Sequence, residues 1–312
     1  MSRTFPLVLV AALVGCSGTP VDTGSSSTPR GKSAAPQGTR HAAAPSNAAA
    51  PGATPKETPK GAPQAKAAHT PERLQELIAD LRHPDDARRV GAAKELQGWG
   101  KGAAAAAGPL ATVIATSGAA PREAALEALE AVLPDHAADL HALVAGEDTA
   151  ARVAAEKRLA GLSPEAGKPL APIIDWRIAG LPAEARKPNV GYAVAGEEYA
   201  ALAPLLLKWG VDGPGLKAVG SCATVPAEGG KPLWEPAQQT LCEIARNETY
   251  RKDALAALDS SLSSRPSAAT LRAVGDLGPS AKGLAPLLET LATDRDAEVR
   301  KAAAEALKKV HG

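Results

Sequence analysis

From Pro71 to the end of the chain, leucine, alanine and valine return roughly every three to four positions between charged residues, the spacing that places apolar side chains on one helix face. A finer pattern, Asp-x₃-Arg-x₂-Ala-x₃-Leu, is laid over this periodicity. It occurs in full at Asp85, Arg89, Ala92 and Leu96, at Asp148, Arg152, Ala155 and Leu159, and at Asp296, Arg300, Ala303 and Leu307. A weaker copy holds Gly118, Arg122, Ala125 and Leu129, with Pro121 placed as a first-turn proline. Each residue type has a mechanical reason. The Asp caps the helix start and answers its positive dipole end. The Arg lies one turn later, within reach of that Asp or of a neighbouring repeat's. The Ala admits a second helix at close range, and the Leu packs on the same side.

Between these helices lie Gly/Pro turns, as in Leu162-Ser-Pro164 through Ile174 and Leu277-Gly-Pro279 through Leu288, with shorter versions at Gly108-Pro109 and Ala203-Pro204. Each marks a helix end, a turn and a new apolar helix. The arginines 89, 122 and 152 fall at a period typical of helical-pair solenoids. The run Pro286-Leu-Leu to Asp296-Ala-Glu-Val299-Arg300 and on to Leu307 resembles a HEAT repeat of the short bacterial kind. The resemblance extends over 74–174 and is poor over 175–250. It implies an all-α, right-handed α-solenoid of HEAT-like helical hairpins, irregular in the centre. A near-match at Asn247, Arg251, Ala254 and Leu258 has an open register, because another helix over 267–277 intervenes before Pro286.

The beginning of the chain breaks the periodicity. An apolar run from Phe5 to Val14 follows Arg3 and is about half the ~20 residues that span a bilayer, so it reads as a cleaved export signal. It closes on Leu13-Val14-Gly15-Cys16, which resembles the lipobox of bacterial lipoproteins. That resemblance implies cleavage after Gly15 and lipidation of Cys16; the alternative is an ordinary secretory signal that contains a cysteine. Ser17 follows where an Asp favours inner-membrane retention in proteobacterial lipoproteins, which implies an outer-membrane location facing the periplasm. Residues 17–70 contain no Leu, Ile or aromatic residue, so they cannot bury enough apolar surface to offset chain entropy. The expected organisation is a signal peptide over 1–15, a lipidated N-terminus and disordered tether over 16–70, and a repeat domain over 71–312.

Charge divides along the same line. The tether carries six Lys/Arg against Asp22 and Glu57, a net of +4, and the 28 Lys/Arg and 32 Asp/Glu that follow give −4. A mildly acidic, exported body does not suit nucleic acid. Cys222 and Cys242 remain beyond Cys16. An exported domain favours a disulfide between them, with two thiols buried on apolar helix faces as the alternative. The expected arrangement is two antiparallel helices, one ending after Cys222 and the other starting near Pro236, joined by a Pro/Gly loop.

Five of the seven Trp and Tyr residues, Trp176, Tyr192, Tyr199, Trp209 and Trp234, fall in the irregular centre beside Gly/Pro-rich insertions. Solenoid insertions map to loops on one face, often the binding face, so these are the partner-binding candidates; large rings filling the gaps of a degenerate repeat are the alternative. No nucleotide-binding, zinc-protease or serine-hydrolase motif occurs. Asp135, His136 and Asp139, with His141, form the one polar cluster to weigh for catalysis or metal binding, yet His136 and His141 point about 140° apart on a helix. The reading that follows is a non-catalytic, lipid-anchored scaffold for an unidentified envelope protein, with no metal or cofactor. An envelope enzyme or metal-handling protein that uses Asp135, His136 and Asp139 or the central insertions is the alternative.

Overall fold

In the computed structural model, which describes residues 69–188 and 190–312, the chain is all-α, and no strand occurs among the described residues. The helices are α1 (Pro71–Asp80), α2 (Asp86–Trp99), α3 (Ala107–Thr116), α4 (Ala119–Val132), α5 (Ala137–Ala145), α6 (Thr149–Leu159), α7 (Pro164–Gly167) and α8 (Ala171–Glu184). They continue as α9 (Gly191–Trp209), α10 (Gly213–Ala223), α11 (Ala227–Ala245), α12 (Arg251–Ser264), α13 (Ala268–Asp276), α14 (Ala285–Leu291) and α15 (Ala297–His311). Short 3-10 turns lead into α3, α5, α8 and α14. None of these helices is long and apolar enough to cross a membrane. The export signal, Cys16 and the tether up to residue 68 lie outside the described residues. The first described contact precedes Pro71: the His69 imidazole stacks on Trp99 at 4.5 Å.

Two layers of helices enclose a continuous apolar core. On one side α3 packs on α8, α8 on α10 and α10 on α12. On the other α2 packs on α4, α6 on α9, α9 on α11, α11 on α13 and α13 on α15. The hairpin α5–α6 breaks the alternation. It joins α4 to α9 on the second side, while α8 docks directly on α3. The solenoid is therefore regular at both ends and irregular in the centre.

The repeated residues do what their chemistry dictates at each helix start. Asp85, Asp148 and Asp296 accept backbone N–H bonds as N-caps of α2, α6 and α15. The Ala and Leu of the pattern are buried, as at Ala92 and Leu96, except Leu307, which is half-buried against the core.

The centre departs from expectation at its prolines. Helix α11 begins at Ala227 and runs through Pro232 and Pro236, so most of the segment expected to be a loop is helix. A proline removes the N–H that would bond the carbonyl four residues back. The surroundings accommodate the freed groups. Pro236 leaves the Pro232 carbonyl without a helical donor, and α9 approaches it at Gly196, where a Cβ would stand only 2.5 Å from that oxygen. Within α8, Pro182 frees the carbonyl of Ile178, and the Cys222 thiol donates to it at 3.3 Å.

Candidate functional site: the irregular centre

The repeat arginine performs a task that sequence spacing alone does not reveal. In four copies its guanidinium folds back six residues to the turn before its own helix. Arg89 donates to the His83 carbonyl at 2.6 Å, Arg152 to Gly146 at 2.9 Å, Arg251 to Ala245 at 3.2 Å and Arg300 to Asp294 at 2.8 Å. Arg122 does the same for Ile114 and Ser117, both at 2.9 Å. A helix end leaves carbonyls without donors, and a charged donor satisfies them strongly. Arg251 sits in the repeat's register by this criterion, which settles the near-match at 247–258.

At Arg152 the same device is extended into the core. Its Nε and Nη2 donate to Glu198 of α9 at 3.1 and 2.9 Å, and Glu198 is 1% exposed. Arg177 of α8 pairs with Glu198 as well and with Glu184 at 3.0 and 3.2 Å. Burial opposes the charge of Arg177, but Glu198 and Glu184 outweigh it and hold its pKa above the ordinary value. The same pairing outweighs burial at Glu184, whose pKa is lowered. Two buried cations thus balance two carboxylates across α6, α8 and α9.

Beside them Glu156 is fully buried, and neither carboxylate oxygen meets a donor. Burial first, and the Glu198 charge second, push its pKa up to about 8. Asp175 of α8 is also pushed up to about 8, by burial and then by the Asp212 carboxylate at the N-cap of α10.

The five candidate aromatics separate into two groups. Tyr199, Trp209 and Trp234 are 0%, 3% and 8% exposed and belong to the core, which removes them from any partner surface. The physical reason is periodicity: Ala195, Tyr199, Leu202, Leu206 and Trp209 form one buried stripe of α9. Trp209 lies under Gly167, where a Cβ would fall 2.0 Å from its ring. Trp176 and Tyr192 are half-buried. Trp176 sits between two guanidiniums, Arg122 at 5.0 Å and Arg177 at 5.5 Å from its ring centre. Tyr192 rests near Gly229 and Gly230.

The expected disulfide is absent. Cys222 and Cys242 are free and buried, and burial raises both thiol pKa values. Cys222 is turned toward α8, where its S–H donates to the carbonyl that Pro182 frees, rather than toward α11. Asp135, His136, Asp139 and His141 do not converge. Asp135 faces Lys101 at 3.3 Å, Asp139 faces Arg158 at 2.6 Å and His141 faces Glu130 at 3.0 Å. No group of three or more metal-ligating side chains occurs among the described residues.

Sequence reasoning missed the ion cluster, although a signal was present. Glu198 falls on the apolar stripe of α9 between Ala195 and Leu202, one turn from each, whereas its neighbour Glu197 faces solvent.

Residues 284–311, which hold the hairpin α14–α15, match the HEAT repeat family. Together with the arginine-locked hairpins, this match defines a HEAT-like helical repeat protein. No curated protein matches the chain. Among solved structures, the crystal structure of an engineered protein is similar over 77% of this chain and 96% of its own length, at 19% identity and a TM-score of 0.30.

Proposed function

We propose that the protein is a non-catalytic, lipid-anchored scaffold of the bacterial cell envelope that binds another envelope protein. HEAT repeats generally mediate protein–protein interaction, and one observation here supports that role most directly. Each repeat arginine ties its helix to the preceding turn, which gives a stack whose outer faces keep a fixed geometry. Such preorganised surfaces lose little entropy on binding. Of the side chains weighed for chemistry, Asp135, Asp139 and His141 each face a different partner, Lys101, Arg158 and Glu130, rather than one another. Trp176 and Tyr192 remain available as partner contacts, since a rigid ring supplies area at low entropic cost.

The anchor rests on the lipobox resemblance at Leu13–Cys16, and Ser17 supports the outer membrane, facing the periplasm. Stable attachment takes more than one acyl chain, as a lipidated and acylated Cys16 supplies. The test pairs Cys16→Ser with membrane fractionation and crosslinked capture. The parent is expected in the outer membrane with a protein bound, and the variant as an unlipidated precursor. Normal lipidation of the variant would remove the anchor, and absence of any captured envelope protein would remove the scaffold.

A further inference from the structure

The skipped hairpin leaves a cleft. Because α8 docks directly on α3 while α5–α6 is set to the other side, the α1–α2 turn, the length of α3 and the start of α8 border a cavity of about 480 Å³. That size lies within the ~300–1,000 Å³ of ligand clefts. Its floor is apolar, built from Leu81, Val113 and the rings of Pro109, Pro169 and Pro172. Its charged rim is wholly cationic: Arg82, Arg89 and Lys168 line it, and no carboxylate does.

These cations differ in their commitments. Arg89 is paired with Asp86 and bonded to the His83 and Pro84 carbonyls, yet its buried Nε finds no acceptor. Arg82 and Lys168 are exposed and make no ion pair or side-chain hydrogen bond with any described residue. A basic cleft stands out on a folded part whose net charge is −4.

We propose that this cleft binds an extended acidic segment of the partner protein, with carboxylates on Arg82 and Lys168 and a small apolar side chain against the proline rings. The inference rests on the scaffold reading and names the chemistry of its partner. Charge complementarity selects the occupant. The chain's own segment 17–70 carries a net of +4 and is repelled by the rim. A small free anion would satisfy the cations and leave the proline faces uncovered. Rim charges act chiefly on encounter rate and salt dependence, so binding should weaken as salt rises.

The test displays random short peptides to the full chain purified in detergent, then measures the selected peptides by fluorescence polarisation. The expected result is enrichment of Asp/Glu flanking Pro, Val or Leu, with affinity reduced about tenfold or more by Arg82→Glu/Lys168→Glu and unchanged by Lys301→Glu on α15. Peptides without acidic bias, no selected peptide at all, or equal binding to the double variant would each overturn the proposal. Crosslinked capture of the cellular partner separates the two readings. If the double variant still captures it at full strength, the cleft is not its site and the scaffold stands. If neither form captures a protein, the scaffold reading fails, and the peptide result judges the cleft.

Discussion

Replacing Glu198 with Gln should destabilise the centre of the solenoid far more than its volume change suggests. Glu198 is 1% exposed and receives both Arg152 and Arg177, whose side chains are 5% and 7% exposed. The substitution keeps the shape and removes the charge. Glu184, at 3.0 Å from Arg177 and 3.6 Å from Arg152, would then balance the two buried guanidiniums with only Glu156 beside them, whose pKa falls once the Glu198 charge is gone. Removing one partner of a buried ion pair costs about 3–5 kcal/mol, because the other is left uncompensated. Glu184 is itself 22% exposed and brings solvent nearer, which places the cost near the lower end, about 3 kcal/mol. At roughly 2–4 °C per kcal/mol for a domain of this size, the melting temperature should fall by about 6–12 °C. Circular dichroism at neutral pH reads the shift. Arg300→Met is the control, since Arg300 holds the same repeat position but is exposed and bonds only the Asp294 and Arg295 carbonyls. That change should cost about 1 kcal/mol. If Glu198→Gln melts within about 2 °C of the parent, the cluster does not hold the centre together and the reasoning fails.

Other outcomes follow from the same core. Glu156 and Asp175 have folded pKa values of about 8, raised from 4.5 and 3.8, so the stability they contribute is complete below the unfolded values and is lost as pH rises toward 8. Stability should therefore fall as pH rises across that window, and Glu156→Gln with Asp175→Asn should flatten the melting curve against pH; an equally steep profile in the double variant would count against this account. Because Cys222 and Cys242 are free, reductant should leave the melting temperature unchanged, whereas loss of a disulfide would lower it by several degrees. Tyr199→Ala and Trp209→Ala should each cost about 3–5 kcal/mol, while Trp176→Ala and Tyr192→Ala should cost less and weaken partner capture; parallel melting and capture measurements distinguish the two classes, and selective loss of capture in Tyr199→Ala would contradict its burial.

The legible parts of the fold were those set by local chemistry. An Asp at a helix start caps it wherever the helix lies, and an Ala and Leu at helical spacing bury on one face, so α2, α6 and α15 could be read from their residues. What the arginine of the pattern touches could not. Its length permits a bond to the Asp, to a neighbour or to the preceding turn, and only the path of that turn selects the carbonyl six residues back. The centre resisted for a related reason. Proline and glycine ordinarily mark loops, but Pro182 sits inside α8 with the Cys222 thiol donating to the carbonyl it frees, and at Pro236 the absence of a Cβ on Gly196 lets α9 pack against the freed carbonyl. Those compensations are tertiary, and no window of sequence contains them.

The free Cys222 and the buried aromatics share this origin. Cys222 is occupied by the carbonyl that Pro182 releases, which turns it from Cys242, and Trp209 fills space that Gly167 keeps open. The irregular segment is thus as tightly specified as the repeats, by reciprocal pairs of a proline or glycine on one helix and the group seated against it on the next. A core determined in this way fixes where α8 meets α3, and that junction is what opens the basic cleft. Departure from the repeat is how this chain acquires a surface unlike those of its regular ends.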